Sequence, residues 1–132
     1  MARTKGSTYQ HDWDDDTWTT GAPTTAAETL SGTTESLTGS IDCGTYWALQ
    51  VTVDINYDAT PTDDITINIY GSRDGTNFDD TPMDFIAGDK ATDPEQITFM
   101  VFNPPAYLRV GFVQSGSTDS HDISTVFYIG FS

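Results

Sequence analysis

The chain has 132 residues, which is enough for one domain to bury its own core without a metal or disulfide. Its 20 acidic residues outnumber 5 basic residues, so the formal net charge is −15. A surface this negative repels phosphate groups, and we expect the protein to bind neither nucleic acid nor membrane surfaces.

The first 40 residues are rich in Thr, Ser, Gly and Asp, with almost no aliphatic side chains before Leu30. Such a segment buries too little apolar surface to offset its ordering entropy. We therefore predict an extended, polar N-terminal arm over residues 1–40, with one or two short strands near its end. We also expect that deleting residues 1–24 leaves a folded domain. The opening letters MARTKGSTYQHDWDDD contain no apolar stretch, so we predict no signal peptide and synthesis in the cytoplasm.

Three aromatic residues interrupt the predicted arm, namely Tyr9, Trp13 and Trp18. Large rings along a polar segment are typical of anchors that dock into a neighbouring protein. Alternatively, the arm folds back and the tryptophans cover the chain's own core. The interpretation as interface anchors makes the arm the main attachment element.

A two-residue alternation of apolar and polar side chains begins at residue 46 and predicts a long half-buried strand to residue 57. A polar turn follows, and a second alternating segment at 65–70 is predicted to form a hairpin with the first. Further strands are predicted at 83–86, 96–102, 107–114 and 123–131. No segment shows a helical period, so residues 41–132 are predicted to form an all-β, antiparallel β-sandwich with jelly-roll or Greek-key-like connections.

The predicted core consists of the apolar residues that share one face of each strand. They are Leu49, Val51, Val53, Ile55, Ile65, Ile67, Ile69, Ile97, Phe99, Val101, Leu108, Val110 and Phe112. In the last strand the same period predicts that Ile123, Phe127, Ile129 and Phe131 face inward.

Four tyrosines fall on the face opposite the aliphatic residues of their strands, namely Tyr46, Tyr70, Tyr107 and Tyr128, and Tyr46, Tyr70 and Tyr128 are the interface candidates. Exposed rings there could stack on sugars or cover an interface with another subunit. The interface is favoured because no acidic or amide residue is regularly paired with these rings.

Candidate metal and catalytic residues are few. Asp74, Asp79 and Asp80 could offer calcium their oxygen atoms, but their spacing does not match the EF-hand pattern and Asp commonly hydrogen-bonds to turn amides. We therefore predict no metal and no other cofactor. Cys43 is the only cysteine and is expected to be a buried apolar residue. His11 and His121 lie in polar segments and are expected at the surface. No catalytic motif is present, which predicts a protein that is not an enzyme.

From residue 46 onward, four segments carry a resemblance to a known class of proteins: YWALQVTVDINY, DATPTDD, INIYGSRDGTNFDDTPM and PAYLRVGFVQSGSTDS. Their pattern resembles small virion proteins of tailed bacteriophages that decorate or cement the capsid. The resemblance implies a non-enzymatic structural protein on the capsid surface, bound to the major capsid protein or other virion proteins. It also implies a homo-oligomer such as a trimer, and it supplies no catalytic residue.

Two other functions fit the same residues. Similar sandwiches occur in phage tail and head-completion proteins, and aromatic strands with Asp-rich loops also fit a carbohydrate-binding or receptor-binding module.

Overall fold

The computed structural model describes residues 4–132, and these fold into two antiparallel β-sheets with no helix. In chain order the strands are β1 (Lys5–Asp12), β2 (Thr17–Thr19), β3 (Glu28–Thr29), β4 (Ser36–Leu37), β5 (Ile41–Asp42), β6 (Ala48–Asn56), β7 (Ile65–Ser72), β8 (Asp84–Ala87), β9 (Glu95–Phe102), β10 (Tyr107–Gln114) and β11 (Asp122–Phe131). The predicted fold class, an all-β antiparallel sandwich, is confirmed. Among the described residues, no helix has the length and apolar character needed to cross a membrane.

The first sheet has the strand order β2-β1-β11-β6-β9, with β3 also paired to β11. The second sheet has the order β4-β10-β7-β8, with β5 also paired to β10. The prediction that β6 and β7 form a hairpin is wrong, because the two strands lie in different sheets. Both strands present an aliphatic face to the interior, so the connection between them crosses from one layer to the other and the two faces meet in the core.

The predicted core lies between the sheets. Eleven of its thirteen members are at most 8% exposed, from Leu49 on β6 to Phe112 on β10. Ile97 and Phe99 pack against this core but are only partly buried, because β9 is the outermost strand of its sheet and lacks a neighbour on one side.

The alternation in β11 is interrupted. Its pairing with β6 shifts register between Ile123 and Thr125, as a β-bulge does. Beyond the bulge Val126 and Tyr128 are buried, whereas Phe127 and Ile129 are only half-buried; Phe131, at the end of the strand, is buried as predicted. The prediction that Phe127 and Ile129 face inward is therefore wrong, because one extra residue exchanges the two faces of the strand.

The N-terminal segment belongs to the sandwich rather than extending from it. In the described part of residues 1–40, β1 lies between β2 and β11, with Gln10 opposite both Thr19 and Phe127. Leu30 is fully buried in the core. The predicted division at residue 40 thus does not separate two structural units, because β11 would otherwise lack a hydrogen-bonding neighbour on this side. The first three residues of the predicted arm lie outside the described residues.

Candidate functional site

The three predicted arm anchors pack inside this chain. Tyr9 stacks on Tyr128 with ring centroids 4.9 Å apart, and Trp18 meets the same Tyr128 edge-on at 4.8 Å. Trp13 lies 6.2 Å from the core residue Phe112. Of the two readings that the sequence left open, this geometry matches the one in which the rings cover the chain's own core.

His11 lies at the centre of these rings and is fully buried. Its ring is 4.4 Å from Trp13 and 4.8 Å from Trp18. The Gly39 amide donates a hydrogen bond to His11 Nε2 at 3.0 Å, and the Gly39 carbonyl accepts one from Trp18 Nε1 at 3.1 Å. We call this group the closed edge: Tyr9, His11, Trp13, Trp18 and Gly39. It joins the β1–β2 side of one sheet to the β4–β5 side of the other.

The surroundings of His11 keep its imidazole neutral. Burial lowers its pKa from 6.5 to about 4, against the opposing charges of Asp16 and Asp12. Because Nε2 accepts the Gly39 amide, the ring proton resides on Nδ1, which has no hydrogen-bond partner among the described residues. The expectation that His11 and His121 lie at the surface is wrong for both, since His121 is also fully buried.

The tyrosines that were predicted to form an interface do not share one exposed surface. Tyr128 is 7% exposed within the closed edge, and burial raises its pKa. Tyr70 is 8% exposed and its hydroxyl donates to the Glu35 carboxylate, so burial and this bond raise its pKa to about 12. Tyr46 is half-buried over Gly130, where a Cβ atom would overlap its ring. Their role in an interface stays a prediction.

The calcium candidates have ordinary turn geometry. Asp74 Oδ1 accepts the amides of Thr76 and Asn77 at 2.9 and 2.8 Å, and Oδ2 accepts the Asn77 side-chain amide. These bonds lower the pKa of Asp74. Asp79 and Asp80 are exposed. Asp74 therefore stabilises its own loop in the way that Asp commonly does in turns.

A different cluster has metal-like spacing. Ligand atoms of Asp58, Asp119 and His121 lie within 4.8 Å of one another. However, His121 Nδ1 accepts the Asp58 amide at 3.1 Å, so the proton is on Nε2, which contacts the Asp63 carbonyl at 2.9 Å. A protonated Nε2 has no lone pair for a metal. The same loop residues satisfy one another, since Asp119 Oδ2 accepts the Asp63 amide and Asp63 Oδ2 accepts the Asp119 amide.

The single thiol is equally inert. Cys43 is 2% exposed, and burial raises its pKa to about 12, with a further contribution from Asp42. The thiolate needed for nucleophilic or redox chemistry is therefore scarce at neutral pH.

The sequence prediction did not identify the exposed apolar residues on the side of the sandwich opposite the closed edge. There, Met83, Phe85 and Phe102 are 51%, 66% and 63% exposed. Met83 and Phe102 border a groove of about 340 Å³ between the outermost strands β8 and β9, which is lined mainly by Ile69, Met83, Ile86, Phe99, Met100 and Phe102. Phe85 lies on β8 beside it. We call Met83, Phe85, Phe102 and this groove the open edge.

The sequence did carry a signal for the open edge. In the alternating pattern, Phe102 lies on the strand face opposite to Ile97, Phe99 and Val101. Phe85 likewise lies on the face opposite to Ile86. An aromatic residue on the polar face of a strand is expected to be exposed unless another layer covers it.

Comparisons with known proteins identify the fold alone. No protein-family model matches the sequence, and no curated protein sequence matches it. A chain from Bacillus endospore appendages, which form a family of disulfide-linked pili, superposes with a TM-score of 0.50 at 12% identity, covering 99% of this chain and 87% of that one. The latent form of PorU from Porphyromonas gingivalis gives 0.55 at 8% identity, over 100% of this chain and 13% of PorU.

A third similar structure is the CBM22-1 xylan-binding domain of Xyn10C from Paenibacillus barcinonensis. Its TM-score is 0.51 at 7% identity, with 97% of both chains covered. The two-sheet architecture is thus shared with proteins that are at most 12% identical to this chain.

Proposed function

We propose that this chain is a non-enzymatic structural protein of a phage particle, a capsid decoration or cement protein that binds the major capsid protein and stabilises the head. The observation that carries the proposal is the open edge. Met83 and Phe102 are exposed beside one apolar groove, and Phe85 is exposed on the adjoining strand β8, on a chain of net charge −15. Exposed apolar groups that cluster within a polar surface are typical of protein-binding sites.

The polar groups described above support binding rather than catalysis. His11 and His121 are buried and hydrogen-bonded as neutral rings, and the Cys43 thiol is protonated. The net charge of −15 makes unbound copies repel one another and so keeps them soluble, which suits a protein needed in many copies per particle. The expected homo-oligomer, for example a trimer on the virion surface, is part of the same proposal.

The test is co-sedimentation of the purified protein with heads that lack it. We expect saturable binding in hundreds of copies per head. Phe85→Ser combined with Phe102→Ser should weaken binding at least about tenfold, as loss of exposed anchor rings does. Phe127→Ser is the matched control, because Phe127 lies in a central strand away from the open edge. Absence of saturable binding by the wild-type protein would contradict the proposal.

A second candidate function is carbohydrate binding, favoured by the match to the xylan-binding domain over 97% of both chains. Two of the rings that could stack on sugars are already covered, however. The Arg109 guanidinium covers Phe78 at 4.3 Å from its ring centroid, and Tyr70 is buried. Affinity electrophoresis in xylan separates the candidates: retardation of the wild-type protein would favour the carbohydrate-binding module, and unchanged mobility would favour the virion protein.

A further inference from the structure

The strand β9 has a free edge along its whole length. It ends its sheet and pairs only with β6, from Ala48 opposite Phe102 to Ile55 opposite Glu95. Natural edge strands are usually short or protected by Lys, Pro or a bulge, because an unpaired edge accepts another strand. β9 has eight residues, contains no Lys or Pro, and shows no register shift with β6.

The pairing defines which backbone groups of β9 are free. The Asn103 amide, directly after β9, donates to the carbonyl of Trp47, directly before β6, and so points towards β6. In an antiparallel ladder such pairs recur every second residue, which directs the odd-numbered amides of β9 towards β6. The outward-facing N–H and C=O groups belong to Gln96, Thr98, Met100 and Phe102. No other strand of the described chain pairs with them.

The facing strand β8 is protected where β9 is not. The amide of Phe85 alternates with the amides directed at β7. It donates a hydrogen bond to the neighbouring Asp84 Oδ1 at 2.8 Å. β8 also has only four residues. Of the two edges that border the groove, β9 is therefore the one that can accept a strand.

The chemistry around the groove defines the incoming strand. Its lining is apolar apart from Asp84, so side chains entering it must be apolar, at every second position of an extended segment. Asp84 lines the groove, and β9 begins at Glu95, whose carboxylate accepts the Asp89 amide. Arg73 lies outside this groove, in a separate pocket with Asp79. The one lysine nearby, Lys90, is 3.0 Å from Asp64 and bonded to the Thr62 carbonyl. The partner segment should therefore carry a net positive charge.

We propose that the β9 edge binds an extended segment of another protein, which adds to the sheet as a further antiparallel strand. The segment carries apolar side chains at alternate positions, directed into the groove, and Lys or Arg among the others. A second copy of this chain is a poorer occupant, because two copies would bring the same carboxylates together at a total charge of −15 each. This inference rests on the proposed role in binding a protein, but not on that protein being a capsid component.

The probe is a yeast-displayed library of random ten-residue peptides, selected on the wild-type protein. We expect enriched peptides to alternate apolar residues and to be rich in Lys and Arg. Thr98→Pro should lower their affinity at least tenfold, because it removes an outward N–H without breaking a bond to β6. Thr98→Val is the matched control: it keeps the amide while losing the same hydroxyl contact to Thr52.

A measurement on the unaltered protein guards against misfolding of the proline variant. Bound peptide should slow hydrogen exchange at the amides of Gln96, Thr98, Met100 and Phe102 at least tenfold. The proposal is overturned if no peptide is enriched, or if enriched peptides leave these four amides unprotected. Sedimentation that reveals a dimer lost in Thr98→Pro but kept in Thr98→Val would overturn the choice of partner and assign the edge to a second copy. Failure of head binding alone would refute the capsid role and leave this result standing.

Discussion

The two lateral edges of the sandwich use the same kind of residue in opposite ways. The closed edge packs Tyr9, Trp13 and Trp18, each partly buried, around the fully buried His11, whereas the open edge leaves Met83, Phe85 and Phe102 more than half exposed. The difference lies in the backbone beside them. The sequence supplies β1 and β2 to cover the closed edge, and no described strand covers β9.

Polar contacts reinforce this contrast. At the closed edge, Gly39 links His11 to Trp18, and a Cβ atom at Gly39 would overlap the Asp16 carbonyl oxygen. Asp12 Oδ atoms accept the amides of Asp14, Thr24 and Thr25, which hold the intervening loop. Aromatic residues in a polar segment therefore need not be partner anchors when nearby carbonyls and amides can fix them in place.

The largest expected effect is the loss of the closed edge as a whole. Deleting residues 1–24 removes β1 and β2, exposes Tyr128 and leaves β11 with only the two-residue strand β3 as a neighbour on that side. We now expect the truncated chain to show no cooperative thermal unfolding, contrary to the expectation from sequence. Asp14→Ser with Asp15→Ser is the control, since exposed substitutions change stability by about 0.5 kcal/mol or less. A truncated chain that melts like the full chain would show that the closed edge is dispensable.

A pair of single substitutions compares the two edges directly. Trp18→Ala should lower the free energy of unfolding by about 3 kcal/mol, because it removes a packed ring and its hydrogen bond to Gly39. Phe102→Ala, at 63% exposure, should cost at most about 0.5 kcal/mol. Urea denaturation measures both values. Equal losses for the two variants would remove the distinction between the edges.

The period-two pattern predicted the central strands well, because alternation directly reports which face of a strand is buried. Val51, Val53, Ile67 and Val110 are all buried as predicted. Pairing between strands is not encoded in that pattern, so the sequence could not tell that β6 and β7 belong to different sheets. The bulge in β11 was equally hidden, since Phe127 and Ile129 are as apolar as Val126 and Tyr128.

The site was harder to predict than the fold. Because the first 40 positions contain few aliphatic residues, an extended arm was predicted there. The strand β1 is instead held largely by backbone pairing and aromatic rings. Conversely, Met83 and Phe85 were assigned to a short strand without regard to what would cover them. Exposure depends on the neighbouring layer, which only the three-dimensional structure supplies.

Acid should weaken the closed edge selectively. Unfolded His11 gains a proton near pH 6.5, whereas the folded group stays neutral to about pH 4, so its stabilising contribution is present above pH 6.5 and is lost progressively down to about pH 4. The loss should reach about 2–3 kcal/mol near pH 4.5. Denaturation of the wild type and of His11→Gln at several pH values measures it. If the free energy of unfolding falls by the same amount in both proteins between pH 7 and pH 4.5, His11 does not cause the acid sensitivity.

Calcium should have the smallest effect, because loop carboxylates at both candidate clusters already accept backbone amides. A site with a Kd near 10 μM would add about 2.7 kcal/mol at 1 mM calcium, which corresponds to a rise in Tm of roughly 10 °C for a domain of this size. We expect the melting curves in 1 mM calcium and in EDTA to coincide within about 1 °C, and Asp74→Asn to leave their difference unchanged. A calcium-dependent rise in Tm that Asp74→Asn abolishes would assign the ion to the β7–β8 loop. A rise that Asp119→Asn abolishes would assign the ion beside His121. The imidazole proton of His121 would then have to move to Nδ1, which would break the hydrogen bond from the Asp58 amide.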